Sequence, residues 1–366
     1  MYVRKSVYMD TELFLEMLGI DSTSGKEAGF ADFLAERLKT PACSVERFEV
    51  GDGTVNLLFS WGKPEIVFCS HLDTVPPYIA PTVEEGKVCG RGSCDAKGQI
   101  FSMYEACKAL EANGYDGFGL LLLAGEETGS FGAKAFREQH PGAEWVIVGE
   151  PTDNCMALAS KGTKAFEVTF EGKAFHSGYP QYGLSAVGMF NDFMNALRSI
   201  VFPKDEILGD TTWNIGKLVS DNPQNILSER LTCRVYFRTT FESDVMVSNV
   251  MKNMAGADAR LRFGRRMAQD GSDIVGKEVA QWQKSMSVKA LGGDTPTRYE
   301  TLEGFPSKPV AFGSDAPQLT NFNRKILCGP GSILVAHRPE EHINLSDLET
   351  AVENYVHMYK TLIRNY

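Results

Sequence analysis

The 366-residue chain has no Cys-x-x-Cys pair, no excess of basic residues, no internal repeat and no low-complexity segment. It also has no apolar run near the roughly 20 residues that a membrane-spanning helix needs. Each absence removes a class of function. Eight cysteines (43, 69, 89, 94, 107, 155, 233 and 328) are scattered through the sequence. Cys69, Cys107 and Cys328 sit in apolar surroundings, so buried free thiols of a reducing compartment are expected rather than a disulfide framework. Cys89 and Cys94 have a zinc-compatible spacing but lack a second ligand pair. With 37 basic against 47 acidic residues the formal charge is −10, which argues against nucleic acid or an anionic membrane as partner. The first residues, MYVRKSVYMDTELF, include basic side chains but no apolar core of signal-peptide length, so a cytoplasmic location is expected.

What is present is the composition of an ordinary globular protein, 43% hydrophobic and 23% charged, long enough for two domains. Helical periodicity runs over residues 11–40 with a break at DSTSG, whose polar cluster can cap the second helix. Strand-like runs NLLFSW and EIVFCS follow, then a long loop from His71 to Gly92, then an amphipathic helix over 95–114. GLLLLAG reads as a strand, SFGAKAFREQHPG as a helix and WVIV as a strand. This alternation predicts an α/β fold: a mostly parallel sheet flanked by helices. The texture changes near Lys161-Gly162 to strand, helix, strand, strand, an α+β pattern that suggests an inserted domain. The expected division is 1–161 with 275–366, and 162–274 between them.

The stretch GLLLLAGEETGS poses a question, because a buried strand ends in two adjacent carboxylates, Glu126 and Glu127. Neighbouring carboxylates repel unless a cation or proton intervenes. Ligands of open α/β sheets collect outside the carboxyl ends of the strands. His71 and Asp73, the Glu126–Glu127 pair, Glu150, His337 and Asp95 all fall at such ends or in loops beside them. Singly, each has a plain reading: a hydrogen-bonded loop histidine, a helix N-cap, a solvated turn acid. Together they make a His, His, Asp, Glu, Glu set suited to zinc. One Asp bridging two ions, with one His and one Glu added per ion, makes a two-metal site whose ions sit ~3.5–4 Å apart. Asp73 could take the second N–H of the His71 imidazole and fix its tautomer.

The motifs SHLDTVPP (70–77), GRGSCDAKG (90–98), AGEETGS (124–130), VGEPTDN (148–154), KGTKAFEVTFEGKAFHSGYP (161–180) and GPGSILVAHRPEEH (329–342) resemble those of the dinuclear-zinc deacylases and exopeptidases. That family includes acetylornithine deacetylase, succinyl-diaminopimelate desuccinylase, aminoacylase and glutamate carboxypeptidase. The resemblance implies a zinc-exopeptidase-like catalytic domain with an inserted lid and dimerisation domain. It implies two zinc ions, with cobalt or manganese as substitutes: His71 and Glu150 on one, Glu127 and His337 on the other, Asp95 bridging. Glu126 would be the general base, a carboxylate beside the metals but not bound to them. His176 matches the lid histidine that reaches a partner's active site in dimeric members, so a homodimer is implied.

Asn225 and Arg238 match a substrate-carboxylate pattern suited to a guanidinium fork. Leu227-Ser228 and Tyr236 depart from that pattern. The loop Gly313-Ser314-Asp315 resembles one that lines the substrate pocket, with Ser314 as the contact. Of His337 and His342, the first is the expected ligand because it follows GPGSILVA. The leading expectation is hydrolysis of an N-acyl amino acid, closest in motifs to acetylornithine deacetylase. Cleavage of di- or tripeptides by the same chemistry is the alternative. A non-catalytic binding relative is a more remote one, against which the retained Glu126 argues.

Overall fold

The structure, a computed structural model, describes residues 10–51, 53–254 and 285–364. The chain divides into two compact units, one of Met1–Leu158, Arg298–Val310 and Ser314–Tyr366, the other of Ala159–Thr297 with Ala311–Gly313.

The first unit opens with helices α1 (Thr11–Leu18) and α2 (Ala28–Arg37), then strands β1 (Ser44–Gly51), β2 (Thr54–Trp61) and β3 (Ile66–His71). Short strands β4 (Thr82–Glu84) and β5 (Lys87–Cys89) precede α3 (Lys97–Ala112), β6 (Phe118–Leu123), α4 (Phe131–Gln139) and β7 (Trp145–Val148). Strand β8 (Met156–Ser160) leads to β9 (Gly162–Glu171), α5 (Ala186–Ser199), β10 (Thr212–Val219), β11 (Arg230–Thr239), α6 (Asp244–Met254) and β12 (Met286–Gly292). Then come β13 (Thr297–Arg298), β14 (Ser307–Val310), β15 (Arg324–Leu327), β16 (His342–Asn344) and α7 (Leu345–Ile363).

Six strands form the main sheet in the order β1-β2-β6-β3-β7-β15. Strands β6, β3, β7 and β15 run parallel, while β1 and β2 add an antiparallel edge. The apolar runs are continuous because both faces of this sheet are covered. Leu120 and Leu122 join the core built with α1, α2, α3 and α7, whereas Leu121 and Leu123, on the opposite face, are equally buried. Phe14 stacks on Phe101 and Trp61 on Phe118, each with ring centroids 5.0 Å apart. All eight cysteines are free thiols, and no helix among the described residues is long and apolar enough to cross a membrane.

The second unit carries an antiparallel sheet in the order β10-β11-β9-β12. Only one face is apolar, so its strands alternate: Phe166, Val168 and Phe170 on β9, and Leu231, Cys233, Val235 and Phe237 on β11, are buried with residues of α5 and α6.

Three expectations change, and one strand is new. The loop from His71 to Gly92 contains β4 and β5, and β5 also pairs with β16. The polar cluster after α1 does not cap α2; Asp21 instead accepts from its neighbour Thr23 (backbone N 3.0 Å, Oγ1 2.8 Å) and pairs with Lys26, while α2 starts after Glu27. Residues 44–51, not singled out from sequence, form β1. The expected return to the first domain at residue 275 falls outside the described residues, and β12 still pairs with β9 in the second unit, so the return follows Thr297.

Buried Asn56 on β2 fastens the end of β6 to the start of α4: its Oδ1 accepts from Ala124 N and its Nδ2 donates to Gly132 O, both at 2.9 Å. Asn56→Ala removes both bonds and leaves the buried Ala124 amide without its partner. It is expected to cost about 1–3 kcal/mol, read as a lower urea midpoint.

Candidate active site

The four parallel strands deliver their carboxyl ends to one edge of the sheet. His71 is the last residue of β3 and pairs with Leu123 of β6, while Cys69 pairs with Val148 of β7, which pairs in turn with Leu327 of β15. The chain beyond each strand therefore begins at a common level, and the chemistry gathers there.

His71 is fully buried. Its Nδ1 lies 2.9 Å from the Asp73 carbonyl oxygen, and its Nε2 lies 3.0 Å from Asp95 Oδ1. The other Asp95 oxygen is 3.2 Å from His337 Nε2, which is 2.7 Å from Glu127 Oε1. One carboxylate thus bridges two imidazoles, and the second imidazole reaches a second carboxylate. Ligand atoms of His71, Asp95 and Glu127 all lie within 4.8 Å of one another. Glu150, buried just after β7, is close enough for its charge to act on the same group.

Asp73 does something other than expected. The backbone carbonyl, not the carboxylate, makes the shorter contact with His71, Oδ1 lying 3.4 Å away. The carboxylate accepts from the Glu126 amide (3.0 Å), the Glu127 amide (3.2 Å) and Ser24 Oγ (2.9 Å). Glu126 and Glu127 consequently lie on a tight turn rather than an extended strand end, with Glu126 O accepting from Gly129 N at 3.0 Å. Gly125 permits that turn: its φ is +66°, and a Cβ there would sit 1.7 Å from the Phe131 ring.

The electrostatics express a shortage of positive charge. The Asp95 and Glu127 carboxylates push His337 up to about 10. Burial opposes a charge on His71, yet Asp73 and Asp95 beside it raise its proton affinity well above the ordinary value. Asp95 is held low against its burial by the two histidines. Burial, then the charges of Asp95 and Glu126, push Glu150 well up. Glu126 is also pushed well up, by burial and, against the help of His71, by Asp315, Glu127 and Asp95.

Such a set of carboxylates and imidazoles has the donor chemistry of a divalent-cation site. The family of the chain is decided by comparison with known proteins. Residues 67–361 match the model of peptidase family M20/M25/M40.

The chain belongs to this family.

A peptidase M20 domain-containing protein of Schizosaccharomyces pombe is 32% identical, over 94% of this chain and 83% of that protein. A probable carboxypeptidase of Aspergillus flavus is 30% identical, over 93% and 84%. The crystal structure of a tripeptidase from Staphylococcus aureus superposes with a TM-score of 0.79 at 19% identity, covering all of both chains, which shows the shared M20 fold.

Of the residues singled out from sequence, His71, Asp73, Asp95, Glu126, Glu127, Glu150 and His337 gather at this edge of the first unit. His342 does not: it pairs with Cys89 on β5, its Nδ1 2.8 Å from Glu340 O. Ser314 is buried in the first unit, its Oγ accepting from Ala316 N at 3.3 Å. His176, Asn225 and Arg238 belong to the second unit. There His176 bridges Ile226, and Ser177 N donates to Asn225 O at 2.9 Å, so His176 and Asn225 share one locality. Arg238 is the penultimate residue of β11, with its guanidinium 5.1 Å from the Tyr236 ring centroid, so the departure at 236 supplies an aromatic face.

Asp315 was missed from sequence although its loop was noted for Ser314. It is buried, and its charge acts on both Glu126 and Glu150. Glu341 was missed because AHRPEEH reads as a solvated acidic pair; it is buried.

Proposed function

We propose that the chain is a two-metal exopeptidase that cleaves one amide bond of short peptides carrying a free carboxylate. The observation that carries this reading is the run of contacts His71–Asp95–His337–Glu127, with the Glu126 amide held beside it by Asp73. His71 with Glu150 would hold one divalent ion, zinc by donor type, and Glu127 with His337 the other, with Asp95 shared. Two ions bound there supply Lewis acidity, acidifying a water and polarising the scissile carbonyl.

The remaining work falls to side chains of the chain. The Asp73 carbonyl would accept a hydrogen bond from the Nδ1–H of His71, the tautomer that leaves Nε2 with a lone pair for coordination. Glu126 removes a proton from the attacking water. As the C–N bond breaks it delivers that proton to the leaving amine, yielding a carboxylate and a free amine. A carboxylate beside the ions but not bound to them is placed for that exchange. Arg238 and Asn225 would hold the substrate carboxylate; among the described residues Arg238 has no carboxylate partner in a salt bridge. His176 would support the carbonyl oxygen as its charge develops, from a second copy in a homodimer.

The names of the relatives, a probable carboxypeptidase and a tripeptidase, favour a peptide substrate. The GSCD and GEPT motifs keep an acetylornithine deacetylase-like reaction on N-acyl amino acids as the second reading. A panel of di- and tripeptides, their C-terminal amides, N-acetylornithine and other N-acyl amino acids separates the two. Free-carboxylate peptides are expected to be cleaved fastest and their amides poorly. Rapid turnover of N-acetylornithine with intact peptides would overturn the peptidase reading in favour of the deacylase. On the best peptide, Arg238→Ala is expected to raise KM by about 10- to 100-fold, the worth of a charged hydrogen-bond pair, with kcat changed much less.

A further inference from the structure

The loop that presents Asp95 has an anchor of its own. Glu341 is 1% exposed, and its Oε1 accepts from three backbone amides of that loop: Gly92 at 3.0 Å, Cys94 at 3.1 Å and Asp95 at 3.1 Å. Three amides converging on one oxygen form a nest for an anion, here filled by a side chain of the chain itself. The other oxygen, Oε2, accepts from the buried Arg91 guanidinium, which also donates to Pro77 O at 3.2 Å and Arg338 O at 3.4 Å. The backbone of Glu341 joins the same segments: its carbonyl accepts from Gly90 N at 2.9 Å, and its amide donates to Arg338 O at 3.2 Å.

Glu341 stands four residues after His337. It therefore fixes the loop of Asp95 against the loop of His337, the two residues whose side chains meet at 3.2 Å. The fit is close on the loop side as well. Gly92 has a φ of +83°, and a Cβ on Gly98 would lie 2.3 Å from Ser93 O, so the turn has one shape and Glu341 closes it.

We propose that Glu341 is a positioning residue for the metal pair, setting the bridging carboxylate of Asp95 at the separation from His71 and His337 that two ions require. The inference rests on the two-metal reading above. Both Glu341 oxygens are taken up by donors of the chain itself. Its influence runs through the Asp95 amide, and groups that orient ligands in this way change metal affinity about 10- to 100-fold when altered.

The test is a cobalt(II) titration of metal-stripped wild type and Glu341→Gln, followed by visible absorption and by the number of ions bound. Wild type is expected to take up two ions. The variant is expected to bind at least one of them about 10-fold or more weakly with a changed cobalt spectrum, while the far-ultraviolet circular dichroism of the metal-free proteins matches. Reloaded at saturating cobalt, it should lose kcat with KM near wild type. Two ions bound with wild-type affinity and spectrum would overturn the inference and leave the metal reading intact. A wild-type chain that takes up no cobalt overturns both. Should the variant fail to fold, amide exchange in metal-free wild type decides: Gly92, Cys94 and Asp95 are expected to be protected like the sheet, and exchange at open-loop rates overturns the proposal.

Discussion

Glu126→Gln is expected to lower kcat by about 10²–10⁴-fold, the usual contribution of a positioned acid–base group, while metal content stays at the wild-type level. The two effects separate because the adjacent carboxylates have different surroundings. Glu127 Oε1 is tied to His337 at 2.7 Å, so it belongs to the ligand cluster. Glu126 is held through its backbone amide by Asp73, which leaves its side chain free for proton transfer. The amide of Gln fills the same space and accepts a hydrogen bond but takes no proton from water. Activity that survives the change, measured as kcat on the best peptide with metal content determined in parallel, removes Glu126 from the mechanism.

Asp95→Asn is expected to be at least as damaging, and by a different route. Both Asp95 oxygens are engaged, with Nε2 of His71 at 3.0 Å and of His337 at 3.2 Å. Asn offers one neutral oxygen, so it cannot be shared between two cations, and its NH₂ turns a donor toward an imidazole nitrogen or an ion. Loss of at least one bound metal is expected, with kcat/KM falling about 10³-fold or more, several kcal/mol of lost transition-state charge stabilisation. Metal analysis together with the rate at saturating added zinc checks this. A variant that keeps both ions and near wild-type activity excludes the bridging role.

The parts legible in the sequence are those set by burial on a large scale. IVFCSH, FGLLLL and WVIV announce themselves because both faces of the sheet are covered, and the polar residues just beyond them mark its carboxyl edge. The parts that were not legible depend on single backbone turns or on which loop covers which side chain. The two carboxylates of AGEETGS look like residues of an extended strand end; Gly125 bends the chain, and Asp73 gathers both following amides. Lys97 belongs by periodicity to an ordinary helix. It is buried, donates to Met17 O at 3.0 Å and lies 4.2 Å from the Phe30 ring centroid, fastening α3 to the end of α1. Strand β12 escaped notice although Met286, Val288 and Ala290 alternate with Ser287 and Lys289, because that alternation is short and most of MSVKALG is exposed. Glu341 reads as surface because nothing local in EEH says that three amides will close around one of its acids.

The relief of charge at GLLLLAGEETGS is now specific. In the metal-free arrangement the imidazoles answer the carboxylates, with His337 raised to about 10 by Asp95 and Glu127. Divalent ions would replace those protons, and metal binding should therefore release protons to the solvent and weaken as the pH falls through the range where the histidines hold them.

The most direct test of the central claim is the peptidase rate, measured together with metal content before and after dialysis against a strong chelator. About two divalent ions per chain are expected, with loss of hydrolysis to background as they are removed and recovery on adding zinc or cobalt. Undiminished hydrolysis by the fully metal-free chain would contradict that claim.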